Sequence, residues 1–522
     1  MKKKFIILSF CLNIILGCCT TVFAENNSIT LYGSQEIAFE TVYVDPYSYA
    51  SSSFANSEES TEIDLTAAAE YTALQLDGLN PSINLYEYRI PREYTKDLIK
   101  KVIADNPNLF YISGGASVSS LNGFIYNIMF DFNITGDELT QKKAAFNAET
   151  EKILSLVDDG MSDVAKLLTV HDYFCLNYEY SDPIPSPSEN PSAYRADGVM
   201  LNKTGVCQSY TYAYKHILNK LGFESVYAES NDMNHIWNII KLGNNWYHAD
   251  ITWDDPVGAQ YANVSHNYFL LSDTKISSGS NPHYNWVSDR ACTSELYDDA
   301  FWKNSSGAIS YSAGTYYYVS GYSLCAYDSA SKTETVLYTI NEKWRVWDNP
   351  NSYYTSSFAS SAMYGDKLYL STPSKILSLD KDGSNPNVFY THDLSDGYIY
   401  GMKISGNTLC FGTSKTPNGK YTTQTIPLFT TYTVIIGDVN GDGTADDKDA
   451  SLIMISTTGG SKSAGGAYEI GSDITTGIIC GDVNGDGIAD DKDASLIMIS
   501  TTGGSKSAGG AYEIGSVFTF LK

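Results

Sequence analysis

Positive charge is scarce in this sequence: 34 Lys and Arg stand against 60 Asp and Glu in 522 residues, a net charge of −26. That deficit excludes nucleic acid and anionic membrane surfaces as partners, since both are recognised through basic patches. It favours solubility and cation binding instead. Beyond the first residues no apolar run is long enough to cross a membrane. Cysteine is sparse and irregular: after residue 24 there remain Cys175, Cys207, Cys292, Cys325, Cys410 and Cys480, with no C-x-x-C pair. Such spacing indicates neither a zinc site nor a dense disulfide framework. What is plentiful is Tyr, at 41 residues, and a hydrophobic share of 43% excludes wholesale disorder. The length allows three or four domains.

The N-terminus reads as a secretory signal over residues 1–24. Lys2-Lys3-Lys4 forms the charged region, Phe5 to Leu16 the apolar core, and Val22-Phe23-Ala24 a cleavage site. Ile15-Leu16-Gly17-Cys18 offers a weak lipoprotein-like alternative. The chain is therefore expected to be secreted. Residues 25–60, with Ser51-Ser52-Ser53, read as a loose leader with some extended structure. Residues 61–159 form an α+β region: Glu93 to Ala104 has helical periodicity, and Phe124 to Phe130 alternates like a strand. A chemically suggestive core follows over residues 160–300, opened by a helix that Ser162 caps. Residues 310–430 alternate in short Tyr-rich runs separated by turns, such as Lys381-Asp382-Gly383. They predict an all-β module of about three hairpin-like units, too few for a closed propeller.

The C-terminal part is written twice. Gly437 to Ser472 recurs as Gly481 to Ser516 with one change, Thr444 to Ile488. Each copy opens on an acidic loop whose oxygens fall at positions 1, 3, 5, 9 and 12, with Gly at position 6. In the first loop the ligands are Asp438, Asn440, Asp442, Asp446 and Asp449, plus the carbonyl of Thr444. In the second they are Asp482, Asn484, Asp486, Asp490 and Asp493, plus the carbonyl of Ile488. A hard cation needs six to eight such oxygens, so the spacing predicts one Ca2+ per loop. Position 12 is Asp rather than Glu, and a single short helix from Ala450 to Ser456 follows the loop with none before it. Gly/Ser/Lys stretches, Gly459 to Gly466 and Gly503 to Gly510, read as flexible connectors. A duplicated loop-helix unit of this kind, here residues 437–516, resembles a type I dockerin. The resemblance implies a small all-α module that plugs into a cohesin module of a scaffold protein, as in a cellulosome-like complex. It also implies that positions 10 and 11 help choose the partner, here Asp447-Lys448 and Asp491-Lys492. Identical pairs imply two binding orientations related by a half-turn.

Chemistry must come from elsewhere. Cys207 opens a helical pattern carried by Tyr210, Tyr214, Ile217, Leu218 and Leu221, with Gly222 to end it. A cysteine in the first turn meets the positive end of the helix dipole, which favours thiolate. Downstream, Asn234 to Leu242 and Trp246 to Trp253 read as two strands about the turn Gly243-Asn244-Asn245. In that hairpin Asp250 falls diagonally across from His235 on one face. Cys207, His235 and Asp250 thus form a nucleophile, a base and a group to orient the base. The stretches Gly205-Val206-Cys207, His235-Ile236-Trp237-Asn238 and Trp246 to Pro256 resemble the transglutaminase-like core of bacterial secreted cysteine enzymes. So does the upstream Val170-His171-Asp172-Tyr173. The resemblance implies a papain-like arrangement with a Cys-His-Asp triad and no catalytic cofactor.

The expected activity is attack by Cys207 on a peptide or amide carbonyl, with a thioester intermediate that water hydrolyses. Interception of that thioester by a second amine would make the protein a cross-linking transglutaminase. A non-catalytic binding module, or an accessory to polysaccharide degradation, is the alternative outside catalysis. A glycosidase would need paired carboxylates flanking a sugar cleft, and no such pair stands out. The oxyanion calls for the Cys207 N–H and a second donor, for which Gln208 and Tyr210 are nearby candidates. His248 is an alternative base. His171 is expected to pack or cap its helix, Asp254 and Asp255 to serve a turn, Cys175 to be buried, and Trp237, Trp246 and Trp253 to wall the core or cleft.

Overall fold

The computed structural model describes residues 20–24, 27–32, 35–44, 63–255, 257, 261–428, 431–463, 465–466, 469–475, 478–506 and 513–521. The expected signal core (Phe5 to Leu16), Cys18, and the Ser-rich Ser51 to Ser53 lie outside the described residues. The chain has mixed α/β content with many antiparallel sheets and divides into two compact units. The first takes in Met1–Ile404 and Cys410–Gln424, the second Ser405–Leu409 and Thr425–Lys522. Among the described residues no helix is long and apolar enough to cross a membrane.

The first unit opens on a six-stranded sheet in which Gln35–Tyr43 pairs with Ile112–Leu121, which pairs with Phe124–Phe132. Asn27–Tyr32 and Gln35–Tyr43 fall in the segment expected to be a loose leader. Part of the segment is extended and paired, and Ile37, Phe39 and Thr41 find a full ladder of partners in Ile112–Leu121. Thr20–Ala24, inside the segment expected to be removed, pairs with Asn27–Tyr32. The helix predicted from Glu93 runs over Thr95–Asp105 and buries Leu98, Ile99 and Val102 at helical spacing.

The centre of this unit is a five-stranded antiparallel sheet. Its order is Phe269–Leu271, Asn245–Ala249, His235–Leu242, Ser225–Ser230 and Val287–Ser288. The middle strand, His235–Leu242, is buried on both faces. Ile236 and Ile240 join the main core, which also holds Phe174 and Tyr214 from the helices Asp163–Asn177 and Cys207–Lys220. Trp237 and Ile239 join a second cluster with Ala228, Leu271 and Ile276. A strand covered on both sides reads as a continuous apolar run, and Ile236-Trp237-Asn238-Ile239-Ile240 has that texture.

Among the described residues the Tyr-rich region builds a two-stranded sheet, Arg345–Val346 with Asn349–Tyr353, and three larger ones. Two have four strands, Ser310–Thr339 and Ser361–Thr391, and the third has Tyr398–Ser405, Thr408–Ser414 and Thr422–Pro427.

In the second unit the two copies form helices Asp447–Thr457 and Asp491–Thr501. Asp446 and Asp490 cap them, and the carboxylates of Asp449 and Asp493 accept in return from the Asp446 and Asp490 N–H groups, completing a capping box. A strand pair flanks the span 437–516 expected to be all-α. Thr431–Ile435 pairs with Val517–Leu521, since the two ends of the duplicated segment meet. In the described parts of the first connector, Gly460 N–H donates to Ile455 O at 2.9 Å, and Ile470 N–H to Lys462 O at 2.9 Å. A side chain at Gly466 would place its Cβ 2.5 Å from the Val439 carbonyl, so only glycine permits this return of the chain.

A candidate cysteine active site

Cys207 is the first residue of its helix and is partly exposed. The approach to it is tight: a Cβ on Gly205 would lie 2.5 Å from the Ser209 side chain. Glycine there lets the strand Thr204–Gly205 feed straight into the helix. Two hydrogen bonds then pin the helix against the His235 strand. Thr211 Oγ1 donates to Ile236 O at 2.9 Å, and Asn238 Nδ2 donates to Thr211 O at 3.1 Å. This registers the helix start against the strand start, where Cys207 and His235 sit.

His235 is 8% exposed, and its ring stacks on Trp237 at 5.5 Å and 20°. Its Nε2 meets Asp250 Oδ2 at 2.6 Å, and its side chain also hydrogen-bonds Cys207. With Nε2 committed to the carboxylate, the nitrogen available to the thiol is Nδ1. The hairpin pattern of the sequence places Asp250 within a strand. The ladder in fact ends at the pair Asn238↔Ala249, and Asp250 becomes the N-cap of a short helix, Ile251–Asp254. As a cap, its Oδ1 accepts from Thr252 N–H at 3.1 Å, Thr252 Oγ1 at 2.6 Å and Trp253 N–H at 3.3 Å. Trp253, expected in the same strand, lies in that helix for the same reason.

Burial opposes charge on His235, but the adjacent carboxylate of Asp250 and the bond to Cys207 prevail and push its pKa up to about 10. Burial likewise works against the Asp250 charge, yet His235 and His283 hold its pKa well below the usual carboxylate range. The arrangement stores a protonated imidazole between a thiol and an anion. That is the charge distribution a thiolate nucleophile and its proton donor require.

Residues 153–251, a span that contains Cys207, His235 and Asp250, match the transglutaminase-like superfamily. The chain contains a transglutaminase-like core. A solved structure titled as a crystal structure of a TGase is similar at 13% identity and a TM-score of 0.20. The match covers 27% of this chain and 44% of that one. The computationally designed Ika4 protein matches at 8% identity and a TM-score of 0.16, over 37% of this chain and 84% of its own. No curated protein matches the chain.

Around the transglutaminase-like core, the remaining sequence candidates fall as follows. Gln208 Nε2 donates to Tyr212 OH at 2.8 Å, and Tyr210 OH donates to Asp255 Oδ2 at 2.7 Å, so both are engaged away from the thiol. Besides His235, a side chain absent from the sequence candidates reaches Cys207, that of Tyr180. It lies on Glu179–Tyr180, parallel to Thr204–Gly205, and only that pairing brings it to the helix start. His248 is no base for the thiol. Its Nδ1 accepts the Trp237 indole N–H at 2.9 Å, which leaves the proton on Nε2 to bond Asp273 Oδ1 at 2.9 Å.

His171 does more than pack its helix. Its Nδ1 meets Asp172 Oδ1 at 2.9 Å and its Nε2 meets Asp254 Oδ2 at 3.2 Å, all fully or nearly fully buried. Two carboxylates facing two ring nitrogens call for both to carry protons. Burial opposes that charge, but the two acids win and push its pKa up to about 9. Asp254 also accepts from Tyr268 N–H at 3.0 Å, so this ion pair anchors the end of the helix that Asp250 begins. Asp255, pushed up to about 7 by burial, stands beside it.

Among the described residues three side-chain groups have the composition of metal sites: His171, Asp172 and His266; His235, Asp250 and His283; His248, Asp273 and Cys292. Proton accounting describes the third without an ion. A metal on His248 Nε2 would require a proton on Nδ1, directly against the Trp237 N–H.

The His171 imidazolium has a consequence for stability. A folded-state pKa near 9, above the ordinary 6.5, gives stability that is complete below about pH 6.5 and lost as pH rises through 9. The stability advantage of the wild type over His171→Gln is therefore expected to shrink between pH 7 and pH 10. Urea midpoints measure it. Lys303, lowered to about 7 mainly by burial, acts in the opposite sense but equally in both proteins. A difference that stays constant or widens over this range would remove the imidazolium from the account.

Proposed function

We propose that this protein is a secreted cysteine-dependent hydrolase of peptide or amide bonds, anchored through its duplicated C-terminal unit. The observation that carries the catalytic reading is His235 held by Asp250 at 2.6 Å with its other face toward Cys207. In this reading the Cys207 thiolate attacks the carbonyl carbon, and the Cys207 backbone N–H at the helix start steadies the oxyanion. The C–N bond breaks as His235 gives its proton to the departing amine. The thioester left on Cys207 is then attacked by water, whose proton returns to His235. The partly exposed Cys207 favours water over a second amine as the acceptor.

Iodoacetamide should label Cys207 in the native protein faster than in a denatured control. Cys207→Ala should abolish amide cleavage, screened on proteins, glutamine peptides and cell-wall peptides. Native labelling no faster than denatured labelling rejects the catalytic reading. Added primary amines separate the two outcomes of the thioester, since a cross-linking enzyme incorporates them.

The attachment reading rests on the two acidic loops. Asp438 accepts from the N–H groups of Gly441, Asp442 and Gly443, and Asp482 repeats this with Gly485, Asp486 and Gly487. Gly443 and Gly487 turn the loops at φ of 94° and 92°, where other residues are strained. The donors are all hard oxygens on one tight turn, which fits calcium. Asp438, Asn440, Asp442, the Thr444 carbonyl, Asp446 and Asp449 would hold one ion. Asp482, Asn484, Asp486, the Ile488 carbonyl, Asp490 and Asp493 would hold the other. Calcium would supply the charge that offsets these carboxylates. Asp447, Lys448, Asp491 and Lys492 are exposed beside them and are assigned to the cohesin contact.

A further inference from the structure

Asp250 holds two imidazoles, not one. Its Oδ2 lies 2.6 Å from His235 Nε2 and 2.8 Å from His283 Nε2, while Oδ1 is taken by the short helix it caps. His283 is completely buried. Its ring is walled by Trp253 at 4.2 Å, Trp237 at 4.7 Å and Tyr268 at 5.2 Å. Its backbone N–H is tied to Ile276 O at 2.9 Å. The ring is thus held with one nitrogen on the carboxylate. Among the described residues the other nitrogen, Nδ1, has no partner. A ring kept only to fill space would be better apolar, since a bare buried nitrogen is costly. The bond to Asp250 is what the imidazole contributes. His283 also lies beyond the matched span 153–251.

We propose that His283 is a positioning residue for the Cys207–His235 pair: by donating to Asp250 Oδ2 it shares that oxygen's charge and sets how tightly Asp250 holds the proton of His235. The inference rests on the cysteine-nucleophile reading above. Both imidazoles draw on the same oxygen, so the proton on His283 competes with the proton on His235 for its electron density. Without His283, Asp250 would pull on His235 alone. His235 would then keep its proton to higher pH and release it less readily to a leaving amine. The other titratable groups facing this cluster come from four elements. Cys207 lies on its helix, Tyr180 beside it, His248 on Asn245–Ala249, and Tyr268 ahead of Phe269–Leu271, its hydroxyl bonded to Asn281 O. All remain in place when His283 is replaced.

The test is the pH profile of Cys207 carboxymethylation by iodoacetate, followed by peptide mass spectrometry. It needs no substrate. Iodoacetate is an anion drawn by the imidazolium, so the upper limb of a bell-shaped profile reports loss of the His235 proton. His283→Phe should move that limb up by about one pH unit, and His283→Gln, which retains a donor, should restore it. If the Phe variant does not fold, His283→Ala should show the same shift, and added imidazole should reverse it. Limbs that coincide in wild type and variants overturn the role of His283. A wild-type profile without a bell, rising only as an ordinary thiol does, overturns the cysteine reading itself.

Discussion

Asp250→Ala is expected to be the most damaging single substitution in the transglutaminase-like core, in stability as well as in activity. The carboxylate accepts from His235, His283, Thr252 N–H, Thr252 Oγ1 and Trp253 N–H. Its removal leaves two buried imidazoles without an acceptor and uncaps a helix. Breaking a buried charged pair costs about 3–5 kcal/mol, and a lost cap adds about 1 kcal/mol. Activity should fall by about 10³–10⁴-fold, as when the orienting acid of a triad is lost. Asp250→Asn keeps the shape and some acceptor capacity, so it should lose much of the activity but less of the stability. Cys207→Ala gives the complementary result. It should end thioester chemistry while leaving the urea midpoint close to that of the wild type, because the thiol is a small, partly exposed group. An Asp250→Ala protein within about 0.5 kcal/mol of wild type would contradict the hydrogen-bond account.

Calcium removal is expected to unfold the C-terminal unit and leave the first unit folded. Among the described residues the hydrophobic cluster of the C-terminal unit is small: Ile436, Val439, Ala450, Ile453, Ile470, Cys480, Val483, Ala494, Ile497 and Ile514. So few residues do not offset the repulsion among the clustered carboxylates of two loops. Lys448 Nζ lies 3.3 Å from Asp442 Oδ2, and Lys492 Nζ lies 3.5 Å from Asp486 Oδ2, but these exposed pairs neutralise little. Chelation of the whole chain should therefore remove one of two calorimetric transitions, and calcium should restore it. Two transitions unchanged by chelator would defeat the calcium reading. Disabling one loop's face through Asp447 and Lys448 should leave partner binding largely intact, with loss only when Asp491 and Lys492 are changed as well.

Much of the architecture was legible where local pattern and burial coincide. Leu98, Ile99 and Val102 announce their helix because the apolar spacing matches the turn. The alternation from Phe124 to Phe130 announces the strand Phe124–Phe132 in the same way. Reading failed where partners are distant. Nothing near Gln35–Tyr43 signals that Ile112–Leu121 will pair with it. The pair Thr431–Ile435 and Val517–Leu521, outside the duplicated run 437–516, is unannounced for the same reason.

The site divides along the same line. The sequence by itself determined the two acidic loops, because all their donors lie on short runs of chain. It also determined the candidates His235 and Asp250, which a single hairpin turn keeps 15 residues apart and close in space. Tertiary structure alone decided that Asp250 would serve a second imidazole, His283, 33 residues away. Tertiary structure likewise placed His171 against Asp254 across 83 residues, and Tyr180 against Cys207 through a two-residue parallel pairing. No periodicity links these positions. Buried polar groups acquire partners only when the fold removes water from them, and that choice is made by packing rather than by spacing along the chain.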